Sequence, residues 1–440
     1  MKRLLIGLFL IGSTVFPQSS PLILTEPRPT ADAAFGSALA IGDFNNDGTL
    51  DLAVSNGNER VFIFYGRPTL RQTPDRTLST SETGIGFGSA LASGDWNRDG
   101  RTDLAVGAPE ASNSEDSFLD GKIFVYLGAS NFGANRTTLR SPLPPDPDSM
   151  MGGLFGEALA TGDVDGDGTS DLIAGAWLLD ATVISYGGRT IGSRRTILQG
   201  GLGEQFGFAV AAGDVNKDGF ADVLIGAPFG GPNGAGAVYV FFGGRTLSSR
   251  PNLTLPNPHP PADLDVMGST FASALIAADI NGDGYADIIV GSPNTSEDSE
   301  DSQPDDPRPG RVYVYFGGPS VSNVPGLILE DPTPRAASAF GYALAAGDLN
   351  GDGTADLAVS AYQAVVDNRQ RAGRVYVFYG GSAIGPNANL IVDPPNPEAG
   401  AEFGAALAIG DLNRDGKPDL IVGAPGFARR AGRVIVYLGR

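Results

Sequence analysis

The chain has 440 residues, with 50 acidic and 30 basic side chains, a net charge of −20, one histidine and no cysteine. Such a polyanion is repelled by nucleic acid and acidic membrane surfaces, and the missing thiols exclude disulfides, cysteine ligands and cysteine nucleophiles. Length alone allows two or three domains, but one motif repeated along nearly the whole chain makes a single repeat domain, residues 21–440, the expectation.

The first segment, residues 1–20 ("MKRLLIGLFLIGSTVFPQSS"), has a basic start, an apolar run and a small polar exit. It reads as a secretory signal and is short for a transmembrane helix. After "PLILTEP" the repeat begins, with the form D-x-[DN]-x-D-G-x-x-D. Its copies are "GDFNNDGTLD" from Gly42, "GDWNRDGRTD" from Gly94, "GDVDGDGTSD" from Gly162, "GDVNKDGFAD" from Gly213, "ADINGDGYAD" from Ala278, "GDLNGDGTAD" from Gly347 and "GDLNRDGKPD" from Gly410. Eight residues before the first aspartate of each stands a phenylalanine, at 35, 87, 155, 206, 271, 340 and 403, followed by glycine in all but the fifth, which has Ala272. The first aspartates are 52, 68, 51, 65, 69 and 63 residues apart, so the repeat core is fixed and insertions lie elsewhere.

Around each loop, short runs of β-branched and aromatic residues alternate with Gly, Pro and Asn and carry almost no helical period, which predicts an all-β chain. The fourth unit shows the pattern: a first strand of small residues ("FGFAVAAGD"), the acidic loop, then strands "DVLIGAP", "GAVYVFFGG" and "NLTLPN". Seven such units predict a seven-bladed β-propeller with four-stranded antiparallel blades. Small residues suit the innermost strands, which crowd around the axis. The last unit ends at a third strand, "RVIVYLGR", whereas "PLILTEP" near the start matches the fourth-strand segments at 327 and 390. The N-terminal strand is therefore expected to complete the last blade and close the ring, removing exposed sheet edges.

An Asp-Gly hairpin turn alone would explain one copy of the loop. Seven clusters of carboxylates held this close are self-repulsive without a cation. Ca²⁺ takes six to eight hard oxygen ligands in flexible geometry, which carboxylates alternating along a tight loop supply. The expected side-chain ligands, at positions 1, 3, 5 and 9, are Asp43, Asn45, Asp47 and Asp51; Asp95, Asn97, Asp99 and Asp103; Asp163, Asp165, Asp167 and Asp171; Asp214, Asn216, Asp218 and Asp222; Asp279, Asn281, Asp283 and Asp287; Asp348, Asn350, Asp352 and Asp356; and Asp411, Asn413, Asp415 and Asp419. Position 7 offers a backbone carbonyl from Thr49, Arg101, Thr169, Phe220, Tyr285, Thr354 and Lys417. Glycine at position 6 permits the sharp turn. An EF-hand is excluded because its twelfth position needs Glu, and the twelfth residue here is apolar (Val54, Val106, Ala174, Ile225, Val290, Val359, Val422). These positions hold 22 aspartates, so the rest of the chain sums to about +2, and seven Ca²⁺ would bring −20 to −6.

Phe-Gly, the acidic loop and Gly-Ala-Pro, as in "FGFAVAAGDVNKDGFADVLIGAP", resemble the FG-GAP repeat of the integrin α-subunit head, over residues 21–440. That resemblance implies a seven-bladed propeller with calcium in hairpin loops between first and second strands, and carries the calcium role onto all seven loops. Gly-Ala-Pro is replaced by "SNG" in blade 1, "GAW" in blade 3 and "SAY" in blade 6, which leaves the ligands intact. Nothing resembles the integrin legs, inserted domain, membrane helix or tail.

Strand parity places the strand 2–3 and interblade 4–1 connections on the face opposite the acidic loops, and the long insertions at 110–121, 141–154, 256–269 and 293–310 follow it. In integrins the corresponding face binds ligand. The expected function is therefore a secreted or cell-surface, non-catalytic adhesion module, monomeric, binding an extracellular protein or glycan. The alternatives are a lectin-like propeller, with Trp96 and Trp177 as the only tryptophans, or the accessory propeller of a hydrolase, as in glycosylphosphatidylinositol-specific phospholipase D. The sole histidine, His259, lies in a Pro-rich loop and leaves little for a Ser-His-Asp arrangement. Sequons stand at Asn135, Asn252 and Asn294.

Overall fold

In every unit the residue before the first loop aspartate pairs across the hairpin with the ninth loop residue: Gly42 with Asp51, Gly94 with Asp103, Gly162 with Asp171, Gly213 with Asp222, Ala278 with Asp287, Gly347 with Asp356 and Gly410 with Asp419. A register this strict places every loop identically at the base of its first hairpin. The computed structural model describes residues 20–29, 31–57, 59–112, 119–144, 152–260, 270–293, 310–333 and 338–439. The expected signal segment, apart from Ser20, and the greater part of the long insertions lie outside the described residues, as does Asn294.

The strands form seven four-stranded antiparallel sheets, six of them in chain order from the inner to the outer strand. Blade 4 consists of Ala209–Gly213, Asp222–Ala227, Ala237–Phe241 and Leu253–Pro256, the four strands expected from its sequence. Helical structure among the described residues is confined to single turns at Trp177–Leu179, Pro232–Gly234 and Phe427–Arg430. The ring closes as the sequence implies: Leu22–Leu24 pairs antiparallel with Arg433–Tyr437 and supplies the outer strand of blade 7.

The core is not central but divided among the seven interfaces between blades. Blades 7 and 1, for example, share Leu24, Ile421, Val434 and Val436 on one side and Leu52, Val54, Phe62 and Phe64 on the other. The repeat phenylalanine is the shared element at each interface. Phe35, Phe87, Phe155, Phe206, Phe271, Phe340 and Phe403 are all buried, and Phe35 meets Phe62 edge-on at 5.5 Å as Phe340 meets Tyr376 at 5.6 Å. Aromatic pairs of this geometry add to burial itself. The chain thus contributes one phenylalanine per repeat to lock each blade to its predecessor.

The Gly of Gly-Ala-Pro is needed for close approach. A Cβ on Gly175 would stand 1.9 Å from the Gly207 carbonyl of the next blade, and one on Gly107 2.0 Å from that of Gly156. Blades 1 and 6 carry buried Ser55 and Ser360 instead, against Gly88 and Gly404 of the next blade. Gly175→Ala is expected to cost about 1 to 3 kcal/mol through overpacking, read as a lower urea midpoint with an unchanged slope; an unshifted midpoint would refute the close approach.

Candidate metal centre

Each acidic loop is built on its ninth residue. Asp51, Asp103, Asp171, Asp222, Asp287, Asp356 and Asp419 are at most 1% exposed, although each carries a carboxyl group. Every one accepts at least two backbone N–H bonds, and Asp51 and Asp356 accept a third, from Asn45 and Asn350. Oδ2 takes the N–H of loop position 2: Val164 to Asp171 at 2.9 Å, Val215 to Asp222 at 2.9 Å, Leu412 to Asp419 at 3.0 Å, and likewise in the rest. Oδ1 takes the N–H of a glycine at the end of the third strand: Gly187 to Asp171 at 2.8 Å, Gly243 to Asp222 at 2.8 Å, Gly439 to Asp419 at 2.9 Å. These third-strand glycines, at 66, 128, 187, 243, 317, 380 and 439, were not singled out from the sequence. Their signal is the aromatic-Gly or Leu-Gly pair that ends each third strand, and their reason is steric: a Cβ on Gly66 would meet the Leu50 carbonyl at 2.1 Å, and one on Gly187 the Ser170 carbonyl at 2.2 Å.

Burial raises the ninth carboxyls against the pull of those N–H bonds. Asp51 is pushed up to about 7, and Asp103, Asp171, Asp222, Asp287 and Asp419 to about 6, with the neighbouring loop aspartates adding to the rise. Asp356 is raised for the same reason. A buried acid crowded by like charges is a site that gains from a cation.

The other predicted ligands occupy the loop above it, from buried (Thr49, Thr169, Asn413) to exposed. The first aspartate folds the turn: in blade 4, Asp214 Oδ1 accepts the N–H of Asp218 at 3.0 Å and Oδ2 that of Gly219 at 2.9 Å. The fifth accepts the N–H of position 7, as from Phe220 to Asp218 at 3.0 Å, and the third, Asn216, accepts from Asp218 at 2.9 Å. The same first- and fifth-position bonds recur in all seven loops, for instance from Thr49 to Asp47 and Lys417 to Asp415. Position 4 is left-handed throughout, in Asn46, Arg98, Lys217 and Arg414 (φ 59° to 61°) as in Gly166, Gly282 and Gly351. The sequence pointed only to the glycine at position 6; the Gly or Asn in four of seven copies was the available signal for position 4.

Loops also touch across blades. The carbonyl of position 2 accepts the N–H just past the third-strand glycine of the next blade: Gly244 to Val164 at 2.8 Å, Gly318 to Val215 at 2.8 Å, Arg67 to Leu412 at 2.9 Å. Arg98 Nη1 reaches the Asp167 carbonyl in the following loop at 2.9 Å.

The residues fit a hard divalent cation. In blade 3, the one loop with aspartate at position 3, carboxylate oxygens of Asp163, Asp165 and Asp171 lie within 4.8 Å of one another. This loop also has its own counter-charge, since Arg194 pairs with Asp165 while its guanidinium sits 3.5 Å from the Tyr186 ring centre. In the six other loops the corresponding residue is asparagine, so only three carboxylates share the loop.

The two tryptophans separate. Trp96, at a loop's second position, is fully buried with Nε1 on Thr161 Oγ1 at 3.2 Å, which removes it as an exposed sugar platform. Trp177, on the opposite face, donates to Glu157 at 2.6 Å and stands 5.8 Å from the half-exposed Phe208 ring. His259 Nδ1 lies 3.1 Å from the Tyr313 hydroxyl. Among the described residues no helix is long and apolar enough to cross a membrane.

Comparison with known proteins agrees with this geometry. The FG-GAP repeat matches at residues 87–126, 155–176, 206–241, 271–315, 340–378 and 403–437, and an FG-GAP-like repeat at 43–106. Human integrin alpha-IIb is 30% identical over 272 residues, covering 55% of this chain and 24% of its own length. Drosophila melanogaster integrin alpha-PS2 is 32% identical over 229 residues, 47% of this chain and 15% of its own. Bovine phosphatidylinositol-glycan-specific phospholipase D is 27% identical over 380 residues, 79% of this chain and 44% of its own. The chain therefore spans less than half the length of each of these relatives. With seven four-stranded blades, a repeat phenylalanine at each interface and an acidic hairpin in each blade, the chain belongs to the FG-GAP repeat family and is an integrin-α-like β-propeller.

Proposed function

We propose that this chain is an extracellular calcium-binding propeller, exported by residues 1–20 and folded over 21–440, that serves as a non-catalytic binding or adhesion module. The supporting observation is the sevenfold recurrence of one loop geometry, in which a buried aspartate anchors the hairpin and three further acids or amides gather above it. In this reading each loop binds one Ca²⁺ through its positions 1, 3, 5 and 9 and the carbonyl of position 7. The cation neutralises charges that the fold itself brings together. At roughly ten times its Kd a single site contributes about 1.4 kcal/mol, and seven independent sites on the order of 10 kcal/mol, comparable to the stability of a whole domain. Calcium then does for this chain what disulfides do for other secreted proteins.

The ligand, in this reading, meets the face bearing the strand 2–3 and interblade connections, where rigidly mounted loops concentrate function. Trp177, Leu178 and Phe208 expose apolar surface there beside Glu157, and this group favours a second reading, a carbohydrate-binding propeller. A glycan array and a cell-surface protein pull-down, each with and without calcium, separate the two.

Excess EDTA is expected to lower the melting temperature by many degrees and Ca²⁺ to restore it, with up to seven ions per chain by elemental analysis; an unchanged melting temperature would sink the proposal. Two aspartates of one loop should behave differently. Asp218→Asn is expected to leave the EDTA-treated protein as stable as before and to shrink only the gain from calcium. Asp222→Ala orphans two backbone donors and is expected to cost about 2 kcal/mol or more even in EDTA, by urea titration.

The metal-free protein carries a pH signature. Ninth-position carboxyls raised from 3.8 to about 6 or 7 bind protons more tightly folded than unfolded. Their stabilising contribution is therefore fully present below pH 3.8 and is lost as pH rises through 6 to 7. In EDTA the protein is expected to melt higher at pH 5 than at pH 8, and saturating calcium to reverse that order; a metal-free protein more stable at pH 8 would contradict it.

A further inference from the structure

The seven acidic loops differ in a way that their expected ligands do not reveal. Position 4 of each is left-handed, and a long side chain there leaves its own turn for the loop of the following blade. Three of the seven are basic: Arg98 in blade 2, Lys217 in blade 4 and Arg414 in blade 7. Asn46, Gly166, Gly282 and Gly351 hold the position elsewhere.

All three basic side chains end at the same place, the position-6 glycine of the next loop. A Cβ on Gly168 would stand 3.4 Å from Arg98 Nη2, one on Gly48 3.8 Å from Arg414 Nη2, and one on Gly284 against Lys217 Nζ. Arg98 is held there by the Asp167 carbonyl, and Lys217 lies 5.1 Å from the Tyr285 ring centre. In the other four loops, a Cβ on Gly100, Gly219, Gly353 or Gly416 would have nothing within 4 Å. Loops 1, 3 and 5 are therefore guarded by a cation from the preceding blade, and loops 2, 4, 6 and 7 are open.

The guarded glycine stands inside the ligand set. Its N–H goes to the first aspartate, from Gly48 to Asp43, Gly168 to Asp163 and Gly284 to Asp279, and its neighbours in the chain are the ligands of positions 5 and 7. Other cations leave the division intact. Arg101 and Lys417, at position 7 of loops 2 and 7, are exposed, and Arg101 reaches Asp99 only at 4.0 Å. In loop 3 the additional Asp165 is offset by Arg194, so Arg98 remains as surplus positive charge.

Without metal, a guard relieves part of its loop's self-repulsion; with metal, it faces a doubly charged ion. A unit charge this near a divalent ion, screened by physiological salt, shifts a binding constant by about three- to tenfold. The arrangement around the ring is regular, since loops 1, 3 and 5 each lie between two open loops.

We propose that the propeller has two classes of calcium site: four open ones that fill first, and three guarded ones, in loops 1, 3 and 5, that fill only at several-fold higher calcium. The inference rests on the calcium role proposed above and adds a graded response to it. The open loops keep their metal and hold the ring, while the guarded loops between them exchange with the surrounding calcium.

The full chain, stripped with EDTA and dialysed into chelator-free buffer at pH 7.5, is titrated with Ca²⁺ in competition with a chromophoric chelator. Three ions are expected to bind at least threefold more weakly than the rest. Replacing all three guards, Arg98→Gln, Lys217→Gln and Arg414→Gln, is expected to merge the weak phase with the tight one. Arg28→Gln, Arg369→Gln and Arg429→Gln together remove the same charge from the opposite face and are expected to leave both phases in place. Gly351→Arg supplies a guard for loop 7, with nothing within 4 Å of a Cβ at that position, and is expected to move one ion from the tight phase to the weak. The melting temperature checks that charge is responsible. Loss of the guards is expected to lower it in EDTA and to leave it unchanged in saturating calcium; a drop in both states would make the guards structural and overturn the proposal. A single phase of seven ions in the unaltered protein, or two phases that persist without the guards, also overturns it. A protein that binds no calcium overturns the calcium reading itself.

Discussion

The structure depends on a carboxylate buried where water cannot reach it. In every blade the ninth loop aspartate sits at the mouth of the first hairpin and takes one N–H from its own loop and one from the end of the third strand. Without that acid, two buried donors per blade would be orphaned, at a cost of about 1 to 3 kcal/mol each. With it, the loop, the second strand and the third strand share one anchor. Burial makes the carboxylate expensive to ionise, and the loop above makes it worse by adding like charges. The fold has therefore created a local need for positive charge.

The loops are linked around the ring by hydrogen bonds that alternate between these carboxylates and the backbone. Asp171 holds the Val164 N–H, the Val164 carbonyl receives the Gly244 N–H, and the adjoining Gly243 N–H goes to Asp222, the ninth residue of the next loop. The same sequence of bonds joins blade 4 to 5 through Val215, Gly317 and Gly318, and blade 5 to 6 through Ile280, Gly380 and Gly381. Ordering one loop thus fixes a donor that its neighbour's anchor requires. The interblade phenylalanines act in parallel from within, since each is buried by residues of two blades at once. A propeller with neither disulfides nor a central core is held by these two circuits, one polar at the loop face and one apolar between the sheets.

Much of this was legible because it repeats at fixed spacing. The ninth aspartate, the phenylalanine eight residues before the loop and the closing strand at Leu22–Leu24 each follow from period and register, which a strict hairpin preserves. What stayed hidden were partners set by the third dimension. Gly243 is unremarkable as part of "FFGG", and only the Ala221 carbonyl 2.6 Å from its would-be Cβ shows why a side chain is forbidden. Trp96 belongs to an exposed loop, yet position 2 points into the interface between blades and buries the indole completely. Exposure of a loop's tip says nothing about the side chain at its root.

Blade 3 shows how the charge balance is kept when the repeat departs from itself. Aspartate replaces asparagine at position 3 only there, adding a fourth carboxylate to a loop that elsewhere has three. Two arginines converge on that loop, Arg194 from its own blade onto Asp165 and Arg98 from blade 2 onto the Asp167 carbonyl. Arg194 is held over Tyr186, so it is a positioned charge rather than a wandering one. Elsewhere Lys217 lies over Tyr285 in the adjacent loop, 5.1 Å from the ring. The left-handed fourth position makes this possible, because a basic side chain launched from it leaves its own loop and reaches the next. A tolerated substitution at a strained turn has become the means by which neighbouring acidic loops share counter-charge.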